Sequence, residues 1–531
     1  MENSTEFVQR QGDKEGDIRF GIPQSVLTMR ATNGHYHAKG EWIEKMYYRE
    51  EAARGESCLD DCYRPGYFET NVNANKNESL AVIAVADENE GVARKVLDEI
   101  PIAIHDIEAL CKQETERRGN LLTKFYQEQK GIAANDWLSW IILAADMFMV
   151  KGIDNGQSSV IAGYHWFEAW GRDTFISLPG LMLVTGRFED ARKVFLTFKK
   201  RCKDGLIPNF FPDQAEPLAY NTVDATLWYV NAILQYLKYT GDFSFVRGQL
   251  WENLKSIIEA HVKGTDFGIR VDDDGLLSHG AQLTWMDAAV DGQPVTPRAG
   301  KAVEVQALWY NALKTMELLA DKFKEMDYAE KYAQNAERAR RSFVEKFWDS
   351  EKNCLFDVLS GDERDDSLRP NQIIAAALDF NMLDNVKSEK VVDIVHRELL
   401  MPCGLRTLAT NDSKYSGVYA GDRRSRDKAY HNGAVWPWLL GPFTTAFLKT
   451  KGYTEYRREY ALKNFLLPLF TEQIFKVGLG SINEIFDGEP PYAPRGCVAQ
   501  AWSVAEPLRA YVEDVMQIRP KCEREVLQGL R

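Results

Sequence analysis

No apolar run in this chain of 531 residues is long enough to cross a membrane. The longest, "WLSWIILAADMFMV", is short and carries Asp146. The opening stretch "MENSTEFVQRQGDKEGDIRF" has no apolar core of the kind a signal peptide needs, so neither secretion nor a membrane anchor is expected. Basic charge is scarce too. Lys and Arg number 65 against 78 Asp and Glu, a formal charge of −13, which argues against a nucleic-acid partner. His165 and His431 have no second ligand at helical spacing, and Cys58 and Cys62 stand apart from other ligands, so no metal is expected. Scattered free thiols fit a reducing cytoplasm. No fixed repeat period is present, which sets an ordinary helical solenoid aside.

What is present changes character near residue 110. Before it, short β-prone runs such as "SLAVIAVADE" are broken by "NG", "RPG" and "NAN". After "KFYQEQKGIAAND" nearly everything reads as helix. Val223, Leu227, Val230, Leu234 and Leu237 recur at threes and fours, as do Val305, Leu308, Ala312, Met316 and Leu319. Tyr332, Ala336, Ala339, Phe343 and Phe347 form a third such stripe. Gly186, Gly241 and Gly452 each end a long helical pattern, and a new helix follows within a few residues. Tight joints also fit "DKFKEMD" and "NMLDNVK".

Between these joints lie long irregular stretches near 150–170, 201–221, 265–301, 349–369, 402–431 and 474–498. About twelve helices joined alternately by short and long connections place every long loop on one face. The expected fold is therefore mainly α, an (α/α)6 barrel or six-hairpin toroid over 135–531. A linker helix is expected over 113–134, preceded by a β-rich region over 1–112. Long loops in a compact domain are usually functional, so the barrel mouth is the expected site.

The loops are rich in indoles beside acids and amides. The first, "SSVIAGYHWFEAWGRDTF", holds His165, Trp166, Trp170, Arg172 and Asp173. In the second stand Asn209, Asp213, Asn221 and Asp224. The third contains "TWMDA", with Trp285 and Asp287, then Glu304 and Gln306. The fifth ends in "RDKAYHNGAVWPW", with His431, Asn432, Trp436 and Trp438, and the sixth carries Asn483, Glu484, Asp487, Arg495 and Trp502. Aromatic faces beside fixed polar groups suit a ligand with apolar C–H faces and many hydroxyls, which describes a sugar. Taken singly, the members have plainer readings. Asp173 and Asp224 also fit the N-terminal turn of a helix. Trp228 and Trp309 fall within helical periodicity and read as core. His165 and His431 fit ordinary buried polar roles, "VDDDGLL" fits a turn rather than a calcium loop, and "SCLDDCYRPGYFE" reads as structural.

In "YHWFEAWGRDTFISLPGL", "NTVDATLWY", "TWMDA", "GKAVEVQALWYNAL", "YHNGAVWPW" and "GSINEIFDG" the chain resembles the amylo-α-1,6-glucosidase domain of archaeal- and bacterial-type glycogen debranching enzymes. The motifs run in order from about residue 130 to the C-terminus. The resemblance implies an (α/α)6 barrel that removes α-1,6-linked glucose at branch points of glycogen or limit dextrin with inversion. It implies no cofactor, a branched α-glucan as partner, and leaves the oligomeric state open. Carried over by motif, Asp287 corresponds to the general acid and Glu484 to the general base. Arg172 and Asp173 would grip the terminal glucose. Trp166, Asn209, Asp224, Trp285, Glu304, Gln306, His431, Trp436, Trp438 and Arg495 complete the expected sugar contacts. "YYREEAARGESCLDDCYRPGYFE" looks like the second half of the β-sandwich that precedes the barrel in that family, so a shortened, apparently truncated β-sandwich-like domain is expected. Nothing resembles the glucanotransferase barrel of some relatives.

The motif makes physical sense. A general acid must keep its proton near neutral pH, and a wall such as Trp285 and Met286 disfavours the carboxylate. Glu484 must instead be ionised to activate water, and its glycine-rich loop leaves room for that water. Asp291, Glu304, Asp487 and Glu489 are competing acids without the motif match. Two other readings are an (α/α)6 glucosidase of glucoamylase or trehalase type and a non-catalytic glucan-binding protein.

Overall fold

The computed structural model describes residues 8–11, 17–22, 25–75, 80–100, 103–151, 158–211 and 217–528. Asp213 of the second loop lies outside the described residues. The chain divides into two compact units, Met1–Leu121 with Gly421–Arg423, and Leu122–Ala420 with Arg424–Arg531.

In the first unit the strands Val8–Gln11, Asp17–Ile22, Ser25–Ala31 and Val82–Asp87 form one antiparallel sheet in that order. Alternation along "VIAVAD" supplies one face of the last strand. The helix Glu90–Glu99 follows it, with the Asn89 side chain accepting from the N–H groups of Gly91 and Val92. Arg30, buried in the sheet, ties that helix down by donating to Leu97 O at 3.3 Å and Asp98 Oδ1 at 3.0 Å. Two further hairpins pair His35–His37 with Tyr67–Glu69 and Glu41–Tyr47 with Leu59–Arg64. The segment "SCLDDCYRPGYFE" supplies a strand to each hairpin, so its structural reading holds.

The second unit is an (α/α)6 barrel. Six inner helices, Gly171–Leu178, Asp224–Thr240, Val303–Phe323, Gln372–Ala377, Leu440–Lys451 and Ala501–Ala510, each pack on the next, and the last packs on the first. Outer helices alternate with them: Asp136–Met147, Phe188–Lys200, Trp251–Lys263, Met326–Phe347, Asn385–Glu398 and Glu455–Ala461. The glycine joints form as expected, with Gly241 in the left-handed region at φ 63° and its N–H closing on Leu237 O. Lys324, at φ 66°, makes the corresponding turn after the third inner helix without a glycine.

Inner and outer helices differ in burial, and the reason is geometric. The outer helix Met326–Phe347 buries only Ala329, Tyr332, Ala336, Ala339, Phe343 and Phe347, one stripe toward the ring. From Asp224 to Lys238 every residue of an inner helix is buried. An inner helix touches two ring neighbours, an outer helix and the axis, so no face is left for water.

Polar residues on the axial face must therefore find partners. Lys238 Nζ lies 2.8 Å from Asp379 Oδ1 and 3.1 Å from Glu523 Oε1. Arg509 pairs with Glu506 at 2.8 Å, and Arg519 with Asp514 at 2.9 Å. Of these groups Lys238, Asp379, Glu506, Arg509 and Arg519 border an axial cavity of about 80 Å³, whose lining also includes Trp228 and Gln235.

Every long connection enters the N-terminus of an inner helix, so the long loops share one end of the barrel. Short pairings fasten neighbouring loops to one another. Trp170 pairs with Phe210, Val223 N donates to Leu283 O at 2.9 Å, and Ala302 pairs with Val358. Ala409 N donates to Leu368 O at 3.1 Å, Val435 pairs with Phe486, and Gly163 with Gln500. The fastening runs once round the mouth and closes.

The axial ion pairs make the barrel sensitive to truncation and to acid. Lys238→Ala leaves Asp379 with Gln235 and Glu523 with Arg519 but takes the buried cation from both, and is expected to cost about 3 kcal/mol, read from the urea midpoint of tryptophan fluorescence; a loss below about 1 kcal/mol would count against the cluster. Burial alone would raise Asp379, but Lys238 overrides it and holds the carboxyl down to about 2. A depressed carboxyl stabilises the fold above its unfolded value near ~3.9 and loses that contribution as the pH falls through about 2. Barrel stability should therefore decline over that window, and less so in Lys238→Ala.

Candidate active site

The mouth is organised around one side chain, Arg172, in the first turn of the inner helix Gly171–Leu178. Its Nε donates to Asp224 Oδ1 at 2.7 Å and its Nη1 to Asp287 Oδ2 at 3.0 Å. Nη2 reaches Thr222 Oγ1 at 3.3 Å and Leu283 O at 3.4 Å. Asn209 Oδ1 accepts from the Arg172 backbone N–H at 3.3 Å. One buried guanidinium thus joins the first three loops. Arg172 is expected from its motif to meet the sugar, and in the structure its guanidinium donates to Asp224, Asp287, Thr222 and Leu283. Asn209 and Asp224 are buried in the same work.

Asp287 follows fully enclosed neighbours, Trp285 and Met286, yet its own side chain keeps 34% exposure. Burial raises its pKa, Arg172 opposes the rise, and Asp224 adds to it. Asp173, the next residue after Arg172, is pushed up to about 7 by burial, with Arg172 opposing and Glu484 and Asp287 reinforcing. Gln500 Nε2 donates to Asp173 Oδ1 at 3.4 Å.

Glu484 is brought in by the five-stranded sheet of the fifth and sixth loops, where Val435 pairs with Phe486 and Ile485 with Arg495. Both carboxylate oxygens accept hydrogen bonds. The Tyr430 hydroxyl donates to Oε1, and the Cys497 N–H to Oε2 at 2.9 Å. A Cβ at Gly496, where φ is 64°, would stand 2.4 Å from Oε2, so only glycine leaves room for this carboxyl. Burial pushes Glu484 up to about 7 against the pull of Tyr430 and Cys497, and Asp287 adds to the rise. Asp287 thus bears on both Asp173 and Glu484, and Glu484 on Asp173, so the three acids stand within electrostatic reach of one another.

An aromatic cluster backs these acids. Trp285 meets His431, Trp436 and Trp438 edge-on, with centroids 5.4, 5.2 and 5.4 Å away, and donates to Asn371 Oδ1 at 2.8 Å. Trp438 stacks on Trp502 at 5.5 Å. Burial drives His431 well below the ordinary histidine range, and Arg369, Arg172 and Arg298 add to this, so the ring is neutral. Among the described residues Asp224 Oδ2, Gln500 Oε1, both His431 nitrogens and the indole N–H groups of Trp170, Trp438 and Trp502 lack a protein partner. No group of three or more His, Cys, Asp or Glu among the described residues is placed to hold a metal ion.

Several expected sugar contacts are committed elsewhere. Glu304 takes a two-pronged pair from Arg298, whose Nη2 lies 2.6 Å from Oε2 and whose Nε binds Asp357 at 2.7 Å. Gln306 exchanges two hydrogen bonds of 2.8 Å with the Leu277 backbone and fixes that strand. Arg495 holds Asp487 at 2.9 Å, and Asp487 in turn accepts from Tyr419 N at 2.8 Å. Trp436 and Trp438 are buried inside the cluster rather than presented as open faces, and Trp166 alone of the named indoles is open, at 53%. Tyr430 stands inside the quoted motif immediately before His431, and nothing in that motif marks its bond to Glu484. Arg298, Asp357 and Asn371 carried no spacing signal at all.

Comparison with known proteins places this geometry. The family model described as amylo-alpha-1,6-glucosidase matches residues 143–509. A second, described as the glycogen debranching enzyme N terminal, matches residues 2–79. The chain is 27% identical over 444 residues to the glycogen debranching enzyme of Saccharomyces cerevisiae, covering 64% of this chain and 29% of that protein. The chain thus spans under a third of that relative's length. A bacterial glucoamylase crystallised with acarbose shares the fold at a TM-score of 0.63 and 10% identity, covering 98% of this chain and 76% of that one.

Removing the hydroxyl in Tyr430→Phe takes one of two donors from Glu484. Its ionisation should move upward from about 7, carrying the acid limb of the pH–rate profile alkaline by about one unit. A limb that stays in place would show that Tyr430 serves packing alone.

Proposed function

From a chain that belongs to the amylo-alpha-1,6-glucosidase family, we propose an inverting glycoside hydrolase that removes single α-1,6-linked glucose units at branch points of glycogen or its limit dextrin. The observation that carries this reading is a pair of carboxyls in unlike settings, within electrostatic reach of each other. Asp287 meets a single protein donor and remains partly open, while Glu484 is enclosed and holds a donor on each oxygen.

In this reading Asp287 keeps a proton, which it delivers to the glycosidic oxygen as the bond breaks. Protonating Asp287 also removes the like charge that raises Glu484. The two hydrogen bonds at Glu484 then favour its anion, which takes a proton from the attacking water. Such an arrangement calls for carboxyls roughly 6.5–9.5 Å apart, with the water between them. Arg172 keeps Asp287 aimed, and Asp173 with the partnerless polar atoms around it meets the hydroxyls of the terminal glucose. No helix among the described residues is long and apolar enough to cross a membrane, and the eight cysteines are free thiols, which fits a cytoplasmic setting.

Limit dextrin trimmed to single-glucose stubs tests the activity. Free glucose is expected, and proton NMR in the first minutes should show the β-anomer first; an initial α-anomer would remove the inverting mechanism and the role of Glu484. Released oligosaccharides would instead mark a direct debranching activity. Asp287→Asn and Glu484→Gln should each lower kcat by roughly a hundred- to ten-thousand-fold with KM much less affected. Turnover close to that of the unmodified protein in either variant would show that the carboxyl had been given the wrong part.

A further inference from the structure

Among the described residues of the barrel two indoles are exposed. Trp140 is 45% exposed and Trp166 is 53% exposed. Met147, Phe475 and Leu479 are exposed as well, Leu479 at 77%. Contacts join these positions into one surface. Trp140 and Met147 stand two turns apart on one side of the helix Asp136–Met147. A Cβ at Gly480 would stand 2.6 Å from Trp140 Cε3, so the backbone beside Leu479 lies directly on that indole. Gly480 N donates to Ile474 O at 2.6 Å, which folds Phe475 into the same turn. Tyr164 donates its hydroxyl to Met147 O at 2.8 Å and pairs with Ala499, bringing Trp166, two residues on, to the other edge.

Both ends of this surface lead into the site. The segment under Trp140 runs from Gly480 through Ser481, Ile482 and Asn483 to Glu484. From Trp166 a trail of rings passes to Phe167 at 6.3 Å and Trp170 at 6.5 Å, next to Gly171 and Arg172. Exposed His165, Glu472 and Lys476 supply a polar rim.

We propose that this face is a second carbohydrate-binding surface, which holds another chain of the same α-glucan whose branch point occupies the site. This rests on the reading of the activity given above. Two separate indoles with polar groups around them match the alternating C–H faces and hydroxyls of a glucan. A protein partner docked here would instead sit on the first and sixth loops, across the entry a polymer needs. Holding a branched polymer at two places converts the second contact into an intramolecular one, so the surface should add affinity for polymers and none for short substrates.

Trp140→Ala and Leu479→Ser test this, since neither residue serves the catalytic site. Affinity electrophoresis through gels containing glycogen should show binding weakened at least about fivefold in each variant. Glucose release from a short branched oligosaccharide carrying one glucosyl stub should stay unchanged. Undiminished retention by glycogen in both variants would overturn the proposal. So would a self-associated species, seen by sedimentation in the unmodified protein and lost in the variants, because the face would then belong to a second copy. If the unmodified protein binds glycogen in this way but frees no glucose from the short substrate, the surface stands and the hydrolytic reading falls.

Discussion

Arg172 is the constraint on which the mouth depends. A guanidinium enclosed this completely is tolerable only when its donors are met, and here Asp224, Asp287, Thr222 and Leu283 meet them. The same four partners come from two different loops. Each loop is long enough to wander without that fastening, and the entropy of ordering it is offset by charge-assisted bonds in a place water barely reaches. Lysine could satisfy one of these partners but not the fork, so the geometry of Asp287 follows from the shape of one side chain.

Arg298 repeats the device one loop further on. It joins Glu304, Asp357 and Thr284, and Asn371 links Asp357 to the Trp285 indole. The mouth thus has two cationic hubs, one whose partner Asp287 keeps some exposure and one whose partners Glu304 and Asp357 are enclosed. That difference explains why Glu304, an acid of the right kind in the right loop, is an anchor. Its carboxylate is already saturated by a planar partner.

Much of this was legible in the residues. The stripe Tyr332 to Phe347 gave an outer helix directly, because only one of its faces is dry. Alternating short and long connections announced the ring, since glycine at Gly186, Gly241 and Gly452 punctuates the chain where the fold turns back. Asp287 and Glu484 sit in local motifs and could be picked out. What was hidden is whatever depends on residues distant in the chain. Lys238 meets Asp379 across 141 positions and Arg298 meets Asp357 across 59, and no local spacing encodes such encounters. Burial was hidden for a related reason. Trp436 and Trp438 look alike whether they face a sugar or each other, and only packing against Trp285 and Trp502 decides. Tyr430 shows the opposite failure: it stood in plain view, and its role emerged only when strand pairing brought the sixth loop against the fifth.

The shared direction of the inner helices has an electrostatic consequence. Asp173, Asp224 and Glu304 all lie in first turns, where unbonded N–H groups and the summed peptide dipoles leave partial positive charge, about half an elementary unit for each helix. Six such termini converge on one opening. The backbone thus forms a broad positive collar, spread over the whole rim and independent of any single side chain. A crowd of carboxyls that would repel one another in a featureless cavity is held within that field. A protein with a net charge of −13 can in this way gather Asp173, Asp224 and Asp287 about one mouth, with the helix termini and Arg172 offsetting their mutual repulsion.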